Sequence, residues 1–380
     1  MTGLDLSTKN DSCDIAVVGA GPMGVMTAIA AARGGFKVFL FDDSPLSSLE
    51  KSLGVIWPSP NDLLTRVESK KNRESAEEVL EVFKESQKLW LKEFPSLFQK
   101  ALNFRMASEA LLKREMKQAS EKRYISRKIS DGLYQDFPAQ IVDCAELKTI
   151  LLQVLVEEGV TLVKQKVSRL LETCEFCQVT TDKGETYHSE VAFVATSHNV
   201  STLLPNRGHT YSPMADVLAV YESTVRFDNS FTLRSSNGHI AVAASGNTLA
   251  FSGPKFMVPS AGVGKVYSQI SPQITAKLQQ FEAFQRSYLN QFVSESPFGE
   301  LPINDLKLKS FTGFTDSLPR DELPVLGELG GSGRIFGTFG WLGAGLSAAP
   351  WVAQAFIKSL EEGSVSHIPG CFLARRLQDF

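Results

Sequence analysis

A short glycine-rich turn between an apolar strand and a helix constrains this 380-residue chain more than any other feature. The run Asp14-Ile-Ala-Val-Val-Gly-Ala-Gly-Pro-Met-Gly24 contains a Gly-x-Gly-x-x-Gly pattern. A helix-compatible stretch, 25–33, follows it, and then a second apolar strand, 36–41, that ends at Asp42. This order predicts a strand-turn-helix-strand unit that binds a dinucleotide, with the Asp42 carboxylate about 20 residues downstream accepting the ribose hydroxyls.

Each glycine of the turn has a physical reason to be there. Gly19 permits the tight turn, Gly21 lets the backbone approach a pyrophosphate, and Gly24 lets the helix pack closely on the strand. Pro22 and Met23 occupy the positions between them, where only the backbone is needed. The free N–H groups and partial positive charge of the helix N-terminus then attract the phosphates.

Bulk composition describes an ordinary globular protein and argues against several function classes. Hydrophobic residues make up 43% of the chain and charged residues 21%, with a formal net charge of −3, which does not suggest a general nucleic-acid binder. No run approaches the roughly 18 apolar residues of a membrane span. Residues 1–13 lack the apolar core of a secretory signal. We therefore expect a cytoplasmic protein, built as two intertwined lobes.

The cysteine pattern indicates a reducing compartment and no metal site. The five cysteines are Cys13, Cys144, Cys174, Cys177 and Cys371. Their odd number and irregular spacing do not form a disulfide framework. Cys174-Glu-Phe-Cys177 has the spacing of a redox motif or half a zinc site, but it begins a run, 174–181, that alternates like a strand. No second pair or nearby histidine completes a metal site.

The middle of the chain alternates predicted loops, helices and strands. Hydroxyl-rich and proline-containing residues 43–60 predict a loop. Apolar spacing predicts an amphipathic helix over 72–101 and a second helix over about 107–119. Lys113 to Lys128 contain seven Lys or Arg and two Glu. This is typical of a solvated helix face, and a phosphate-contacting patch remains the alternative.

Residues 141–196 are expected to complete the dinucleotide-binding sheet. A helix with Asp143 as its N-cap is predicted to run to Glu158 and to end at Gly159. Strands are then predicted at 160–163, within 167–181 and at 190–196.

Residues 206–309 change character and predict a second lobe that contains a sheet. Strands such as 217–221 and 240–244 alternate with Gly and Ser turns, and a helix is predicted over about 274–292. The C-terminal part then repeats the order of strand, glycine turn and helix. Its strand is 334–339, its turn is Gly340-Trp-Leu-Gly-Ala-Gly-Leu-Ser347, and its helix is 348–360. The N-terminus of that helix can face an electron-rich ring or an anion.

Together and in this order, these features resemble the FAD-dependent D-amino-acid oxidase superfamily, which includes glycine oxidase, sarcosine oxidase and amine dehydrogenases. The resemblance covers nearly the whole chain. The nucleotide turn of the family looks like Gly19–Gly24, its Asp-x-x-Pro-x-x-Gly element looks like Asp321–Gly327, and its flavin turn looks like Gly340–Leu346. The last two motifs favour FAD over NAD.

The resemblance implies a set of residues that bind FAD. It includes the nucleotide turn, the acid at the end of the second strand, a Ser/Thr-rich loop along the pyrophosphate and isoalloxazine, a strand residue at the adenine, and the flavin turn. These residues are Gly19, Gly21, Pro22, Met23, Gly24, Asp42, Asp43, Ser44, Ser52, Gly54, Val55, Val167, Ala195, Thr196, Gly340, Trp341, Leu342, Gly343, Ala344, Gly345 and Leu346. No Cys or His lies in the loops that carry covalent flavin in some members, so non-covalent FAD is expected.

The implied fold is α/β. A Rossmann-like FAD-binding domain of the glutathione-reductase type is accompanied by a second, α+β substrate domain that is built on an antiparallel sheet. We expect the FAD-binding domain to be discontinuous, with residues 1–60, 139–205 and 310–380. The substrate domain is then expected to comprise residues 61–138 and 206–309.

Two departures from the family pattern bear on the substrate and on the shape of the FAD site. Many members that oxidise amino acids hold the substrate carboxylate with an arginine five residues before the motif aspartate. Here that position is Asp316, which repels a carboxylate and favours a cation. In addition, Ala195-Thr-Ser-His198 stands where the family usually has a glycine after the buried strand.

The implied reaction is oxidation of a C–N bond in a small amine or amino-acid-like substrate. A hydride passes to the flavin, the imine is hydrolysed in water, and oxygen or another acceptor takes the electrons. Substrate-site candidates are Trp57 and Trp341, as pocket walls or as stacking partners of a cation, and Arg320, as an anion anchor. Packing roles for the tryptophans and a surface pair of Arg320 with Asp321 or Glu322 remain open.

Two further functions remain open. The C-terminal third is also similar to the FAD domain of the bifunctional bacterial enzyme that finishes the methylaminomethyl group on tRNA wobble uridine. The matching runs are Arg320–Pro324, Leu342–Pro350 and Ala374–Arg376. Oxidation of an aminoalkyl group on tRNA, helped by residues 113–128, is therefore one alternative, although the chain leaves no room for the methyltransferase half. A flavin-binding module with a degenerate substrate site is the other.

Overall fold

The structure is a computed structural model of the chain. It describes residues 11–58, 63–64, 67, 73–106, 127–130, 133–197, 200–204, 211–227, 229–234, 240–243, 246–252, 256–257 and 306–377. The helices predicted over 107–119 and 274–292 lie outside the described residues, and so does the basic segment apart from Arg127 and Lys128.

The described residues form α-helices and β-strands, and the strands belong to two sheets. The helices are α1 Pro22–Arg33, α2 Arg73–Glu93, α3 Cys144–Glu157, α4 Val200–Leu203 and α5 Gly345–Glu362. The strands are β1 Ser12–Val18, β2 Val38–Phe41, β3 Val55–Ile56, β4 Phe98–Met106, β5 Arg127–Ser130, β6 Leu133–Gln135, β7 Ala139–Val142, β8 Thr161–Val163, β9 Val167–Glu172, β10 Cys177–Thr181, β11 Thr186–Val194, β12 Tyr211–Phe227, β13 Phe231–Arg234, β14 Ile240–Ala243, β15 Gly246–Ser252, β16 Phe256–Met257, β17 Lys307–Pro319, β18 Val325–Glu328 and β19 Ile335–Phe339.

Among the described residues, the first sheet has eight strands and is mixed. Its main order is β18-β19-β11-β1-β2-β8, and β10 and β9 extend from β11. The pairs β11–β1, β1–β2, β2–β8 and β11–β19 are parallel, whereas β18 and β10 pair antiparallel with their neighbours. This confirms the predicted α/β class.

Strand β1 lies in the middle of this sheet because both of its faces are apolar. Successive side chains of a strand point to opposite faces. Ile15 and Val17 pack into the cluster that contains residues of α1 and α5, and Ala16 and Val18 pack into a second cluster on the other face. Burial on both faces is typical of a parallel strand in an α/β protein.

Helix α2 is shorter than predicted. The amphipathic pattern predicted a helix to residue 101, but α2 ends at Glu93 and Phe98 begins β4. Pro95 explains the difference, because proline lacks an N–H and disfavours the helical conformation of the residue before it. The apolar residues that follow it belong to a strand of the second sheet.

Helix α5 is hydrogen-bonded to α2 at the point where a proline interrupts the backbone hydrogen bonds of α5. Pro350 lies inside α5 and has no N–H to donate to the carbonyl of Leu346, four residues earlier. The Nε1 of Trp90, on α2, donates to that carbonyl at 2.9 Å. The two helices are therefore fixed together at the site where the α5 ladder is interrupted.

Helix α3 has the predicted N-cap and ends at Glu157, one residue before the predicted end, with Glu158 as its C-cap. Asp143 is its N-cap, and Oδ1 of this residue accepts from the N–H groups of Ala145 at 2.8 Å and Glu146 at 3.0 Å. After the helix, Gly159 has a φ of +72°, the left-handed conformation that favours glycine.

In the part of the chain that the structure describes, the second sheet has eleven strands. Its main order is β16-β12-β15-β14-β13-β4-β6-β5, and β17 lies beside β12. Its described pairs are antiparallel except β4–β13, which is parallel. Strand β7 pairs with both β3 and β4. The segment that follows β2 therefore reaches the second sheet through the pairing of β3 with β7. The expected domain boundaries stay predictions.

Two absences hold for the described part of the chain. None of its helices is long and apolar enough to cross a membrane. Nor do its His, Cys, Asp and Glu side chains form a group of three or more that could hold a metal ion. Cys174 is exposed in the turn before β10 and Cys177 is buried in that strand.

Candidate active site

The first glycine turn is a tight backbone cradle. Gly19 has a φ of +97°, and a Cβ added there would lie 2.7 Å from the carbonyl oxygen of Ala195. A Cβ on Gly24 would collide with the carbonyl oxygen of Gly19. The N-cap of α1, Gly21, offers no side-chain cap to the first N–H groups of the helix. Close packing and an uncapped helix N-terminus are what a bound pyrophosphate requires.

Asp42 ties this turn to the loop that follows it. Its Oδ2 accepts from the N–H of Ala20 at 2.7 Å, and its Oδ1 accepts from the N–H of Ser44 at 2.7 Å. A carboxylate offers about four lone-pair positions, so these two bonds leave capacity for ribose hydroxyls. The side chains of Asp43 and Ser44 are exposed.

The loop 43–55 runs alongside the turn. The N–H of Leu46 donates to the carbonyl of Ala20 at 2.8 Å, and a Cβ on Gly21 would lie 3.3 Å from Ser48 Oγ. At the end of the loop, Gly54 has a φ of +66°, and its carbonyl accepts from the N–H of Val142 at 2.9 Å. The N–H of Gly54 in turn donates to Ser52 Oγ at 3.2 Å.

The residues after β11 close the cradle from the other side. The N–H of Ala195 donates to the carbonyl of Val18 at 2.8 Å, which continues the β1–β11 pairing. Thr196 Oγ1 is shielded from solvent and has no hydrogen-bond partner among the described residues. A buried hydroxyl of this kind needs an explanation, and a polar atom of a bound dinucleotide supplies one. Val167, at the start of β9, packs in the same apolar cluster as Phe41.

The second glycine turn has a strained backbone and begins another uncapped helix. Gly340 and Gly343 have φ values of +80° and +88°, and Leu342, a non-glycine residue, has a φ of +47°. The N-cap of α5 is Ala344, which has no side chain capable of capping. Left-handed residues outside glycine cost energy and are concentrated at ligand clamps and active sites.

The two turns lie side by side. A Cβ on Gly345 would lie 4.0 Å from the Cε of Met23, which belongs to the first turn of α1. Two residues further along α5, Ser347 Oγ accepts from the N–H of Trp57 at 2.9 Å and donates to the carbonyl of Val55 at 3.4 Å. The structure therefore brings together residues 19–24, 52–57 and 340–347. In sequence, these segments are separated by up to about 300 residues.

These features fit FAD. FAD contains a pyrophosphate and a ring system. The first glycine turn and the N-terminus of α1 suit the pyrophosphate, and the end of the loop 43–55 and the N-terminus of α5 suit the ring system. Cys144 lies beside Gly54, where a Cβ would be 3.1 Å from its Sγ. Burial raises the pKa of the Cys144 thiol to about 12, so this cysteine remains protonated and is a poor nucleophile toward a flavin ring.

The two predicted site tryptophans have different surroundings. Trp341 is buried, its Nε1 donates to Thr338 Oγ1 at 2.6 Å, and its ring packs edge-on against Phe83 and Phe372. These contacts favour the packing alternative for Trp341. Trp57 is also buried, and the guanidinium carbon of Arg234 lies 4.3 Å from its ring centroid. Trp57 therefore does stack on a cation, but on one from the protein itself.

Arg320 lies exposed on the turn after β17, which does not favour a role as a buried anion anchor. Its neighbour Asp321 is paired with Arg376, whose Nε lies 2.6 Å from Asp321 Oδ2. Arg376 also donates to the carbonyl of Leu323 at 2.7 Å. Of the two arginines in the predicted basic tail, Arg376 is thus committed to holding the motif in place, and Arg375 is exposed.

The two departures from the family pattern contact each other. Ser197 Oγ donates to Asp316 Oδ1 at 2.9 Å, and that oxygen also accepts from the N–H of Ser317 at 2.8 Å. Ser197 has a φ of +51°, a left-handed conformation. Asp316 is therefore engaged in fixing the turn after β11. The remaining residue of that run, His198, lies outside the described part of the chain.

Sequence reasoning missed a buried polar layer on β4 and β13. Asn103, Arg105, Thr232 and Arg234 are each at most 7% exposed. Thr232 Oγ1 donates to Asn103 Oδ1 at 2.8 Å, and Arg105 Nε lies 3.3 Å from Asp136 Oδ2. Polar residues that alternate with apolar ones usually indicate a solvent-facing strand. The alternation is present in the sequence, but by itself it indicates a solvent-facing strand and not a buried polar face.

Comparison with known proteins agrees with this geometry. The DAO family, described as FAD dependent oxidoreductase, matches residues 14–358. Among curated proteins, none matches the chain significantly.

Solved structures show the same fold along nearly the entire chain. Glycine oxidase from Geobacillus kaustophilus is similar at a TM-score of 0.70 and 15% identity, covering 93% of this chain and 96% of that one. L-Proline dehydrogenase from P. horikoshii is similar at a TM-score of 0.72 and 14% identity, covering 97% and 98%. L-Amino acid deaminase from Proteus myxofaciens, in complex with anthranilate, is similar at 0.70 and 13%, covering 97% and 94%.

At these identities the structural similarity shows the fold alone. The family match, in contrast, spans both glycine turns and the segments that the structure brings together between them. The chain therefore belongs to the family of FAD dependent oxidoreductases, is an enzyme, and uses FAD as its cofactor.

Proposed function

We propose that the chain oxidises a C–N bond in an amine or amino-acid-like substrate, and that the resulting imine is hydrolysed in water. The observation that carries this proposal is the convergence of both glycine turns on the end of the loop 43–55, at Ser347. That convergence provides a place for the ring system of FAD next to buried side chains. When bound, FAD supplies the acceptor for a hydride from the carbon attached to nitrogen.

The roles of the protein groups follow from their chemistry. The N–H groups of Gly21, Met23 and Gly24, at the N-terminus of α1, would hold the pyrophosphate, and Asp42 would hold the ribose. The backbone of residues 52–55 and 340–346 orients the ring. Trp57 is buried beside the end of the loop 43–55 and would help to exclude water from the ring. None of these groups needs to act as a nucleophile, because the chain only has to position a C–H bond and keep the amine neutral.

The similar structures support an amino-acid-like substrate. Glycine oxidase, L-proline dehydrogenase and L-amino acid deaminase each act, by name, on a compound that carries both an amine and a carboxylate. We propose that this chain acts on the same broad class, with oxygen or another acceptor taking the electrons.

Anaerobic reduction of the flavin tests the proposal. The holoenzyme is mixed without oxygen with primary amines, N-methyl amino acids, cyclic amino acids and modified tRNA, and flavin absorbance is followed. Bleaching by at least one small amine is expected, because hydride transfer requires no acceptor other than the flavin.

Other outcomes select the alternatives. Bleaching by modified tRNA alone would replace a small substrate with an aminoalkyl group on tRNA. No bleaching by any compound, while dithionite still reduces the flavin fully, would contradict the proposal and favour a binding module with a degenerate substrate site.

A further inference from the structure

We propose that Trp90, on α2, is a positioning residue for the flavin: it fixes the first helical turn of α5 and thereby raises the reduction potential of bound FAD. This inference rests on the proposed function and deepens it, because that function places the ring system at the N-terminus of α5. Trp90 belongs to none of the family motifs and lies 256 residues before Leu346, its partner in that turn.

A proline leaves one carbonyl in the first helical turn of α5 without its helical donor. In an α-helix, each carbonyl accepts from the N–H of the residue four positions later. Pro350 lies inside α5 and has no N–H, so the carbonyl of Leu346 cannot be bonded in this way. Leu346 is buried, and a buried carbonyl without a hydrogen bond is unfavourable. This group therefore needs a donor from outside the helix.

Trp90 supplies that donor from a fully buried position. Its Nε1 donates to the carbonyl of Leu346 at 2.9 Å, and its ring packs against two phenylalanine rings. Ser86, which is also fully buried, lies four residues earlier on α2, on the same face of the helix. Its Oγ accepts from the N–H of Trp351 at 3.4 Å. Helix α2 therefore contacts the backbone of α5 on both sides of the proline.

The bond from Trp90 orients a peptide group that α5 presents at its N-terminus. A trans peptide group is planar, and its N–H points away from its C=O. The carbonyl of Leu346 shares a peptide group with the N–H of Ser347, so fixing the carbonyl also fixes that N–H. It is one of the first N–H groups of the helix, which have no partner within it and carry the partial positive charge of the N-terminus.

Ser347 connects the same peptide group to the loop 43–55. Its Oγ accepts from the N–H of Trp57 at 2.9 Å and donates to the carbonyl of Val55 at 3.4 Å. The first helical turn of α5 is therefore held from two sides, by α2 through Trp90 and by the end of the loop through Ser347. Dipoles that are fixed in this way stabilise charge without having to rearrange.

The orientation of this peptide group affects the two oxidation states of the flavin differently. A reduced flavin is more electron-rich than an oxidised one, so a partial positive charge beside the ring stabilises the reduced form more. Without the bond from Trp90, the carbonyl of Leu346 turns toward another donor and the N–H of Ser347 moves with it. The reduction potential then falls, and the flavin becomes a weaker hydride acceptor.

The test is the midpoint potential of the bound flavin, measured against reference dyes without substrate. Trp90→Phe keeps an aromatic ring but loses the N–H, and should shift the two-electron equilibrium at least about threefold toward oxidised flavin. Pro350→Ala adds an N–H four residues after Leu346. Combined with Trp90→Phe, it should restore most of the wild-type potential, because the helix then bonds this carbonyl itself. Pro350→Ala alone should have a potential close to that of the wild type.

Trp351→Phe is the matched control, because it is the same substitution at a partly exposed position of α5 that lines a groove against α2. It should leave the potential unchanged. FAD content and melting temperature are measured for every variant, since a purely structural Trp90 would affect the melting temperature and not the potential. If Trp90→Phe does not retain FAD, replacement of Trp90 by β-(3-benzothienyl)alanine removes only the N–H from a side chain of similar shape.

An unchanged potential in the Trp90 variants that bind FAD, or a lowered potential that Pro350→Ala does not restore, would overturn the proposal. Dye titration needs no amine, so this result is independent of the proposed function. Failure of that function appears as a flavin that dithionite reduces and no amine reduces, whatever the potentials are.

Discussion

Gly24 is the residue where helix α1 and the first glycine turn come closest. A Cβ at this position would collide with the carbonyl oxygen of Gly19, so Gly24→Ala must push the helix away from the turn. We expect FAD affinity to fall at least about tenfold, because the pyrophosphate site depends on that approach. Gly370→Ala is the control, since a Cβ there meets nothing within 4 Å. Equal FAD dissociation constants for the two variants, measured by flavin fluorescence, would be inconsistent with this role.

The Ser197–Asp316 hydrogen bond predicts an energetic coupling between two residues 119 positions apart. Ser197→Ala should cost about 1 kcal/mol of unfolding free energy in the wild-type background and almost nothing in an Asp316→Ala background. Asp316→Asn keeps an acceptor oxygen and should retain most of the coupling. Urea unfolding of the four proteins of the cycle measures it. Additive effects of the two alanine substitutions would mean that the bond contributes nothing.

For single residues, the sequence predicts those conformations and contacts that depend on neighbours along the chain. The positive φ of Gly19 and the close approach at Gly24 follow from a local motif. The stacking of Arg234 on Trp57 joins residues 177 positions apart, as counted from their numbers. No sequence pattern around Arg234 or Trp57 indicates this contact, because it arises from the pairing of β13 with β4 and from the course of the loop 43–55.

Helix α3 depends on Asp143 for its N-terminus. The carboxylate accepts from two N–H groups that have no partner within the helix. Asp143→Ala should lower the unfolding free energy by about 1 kcal/mol, and Asp143→Asn should lower it by only a few tenths, since asparagine also caps well. Chemical denaturation at saturating FAD compares them. An equal loss for both substitutions would show that charge, and not capping, is what matters.

Glu172, at the end of β9, holds the turn before β19. Its oxygens accept from the N–H groups of Gly331, Ser332 and Arg334 at 2.8 to 3.2 Å. Burial alone would raise the pKa of Glu172, but these hydrogen bonds outweigh it and lower the pKa below the usual value.

The pKa of Glu172 predicts a pH dependence of stability. The folded-state pKa lies below the unfolded value of about 4.3, so its contribution is fully present above that pH. It is lost as the pH falls through the lower, folded-state pKa. Glu172→Gln should therefore flatten the acid side of the stability curve, and Glu175→Gln, at an exposed neighbour, should not. Identical acid dependence of wild type and Glu172→Gln would contradict the assignment.

Among the elements, prediction succeeded where periodicity and caps agreed. Strand β1 and helices α1 and α3 have apolar patterns and boundary residues that point the same way. For α2 the pattern continued past Pro95, and the proline signal was the one that decided the structure. A strand and a helix with similar apolar spacing are hard to distinguish over short runs.

In the molecule as a whole, the proposed FAD site depends on contacts between segments that are distant in the sequence. Loop 43–55 begins beside the first glycine turn, and the residues at its end are hydrogen-bonded to Ser347 of α5. Strand β3, at the end of this loop, pairs with β7, and β7 pairs with β4 of the second sheet. The fold class was predictable from the order of motifs. The polar face of β4–β13 was not, because its burial depends on how the second sheet lies against the end of this loop.

The central claim is that the two glycine turns hold opposite ends of one FAD. Titration of the apoprotein with FAD and with ADP, for wild type and Gly345→Val, tests it most directly. We expect one FAD per chain, which acid precipitation releases into the supernatant. Gly345→Val, which places a side chain at the junction with Met23, should weaken FAD binding at least about tenfold and leave ADP binding unchanged. Protein that stays colourless after reconstitution, or a Gly345→Val variant with unaltered FAD affinity, would contradict the account.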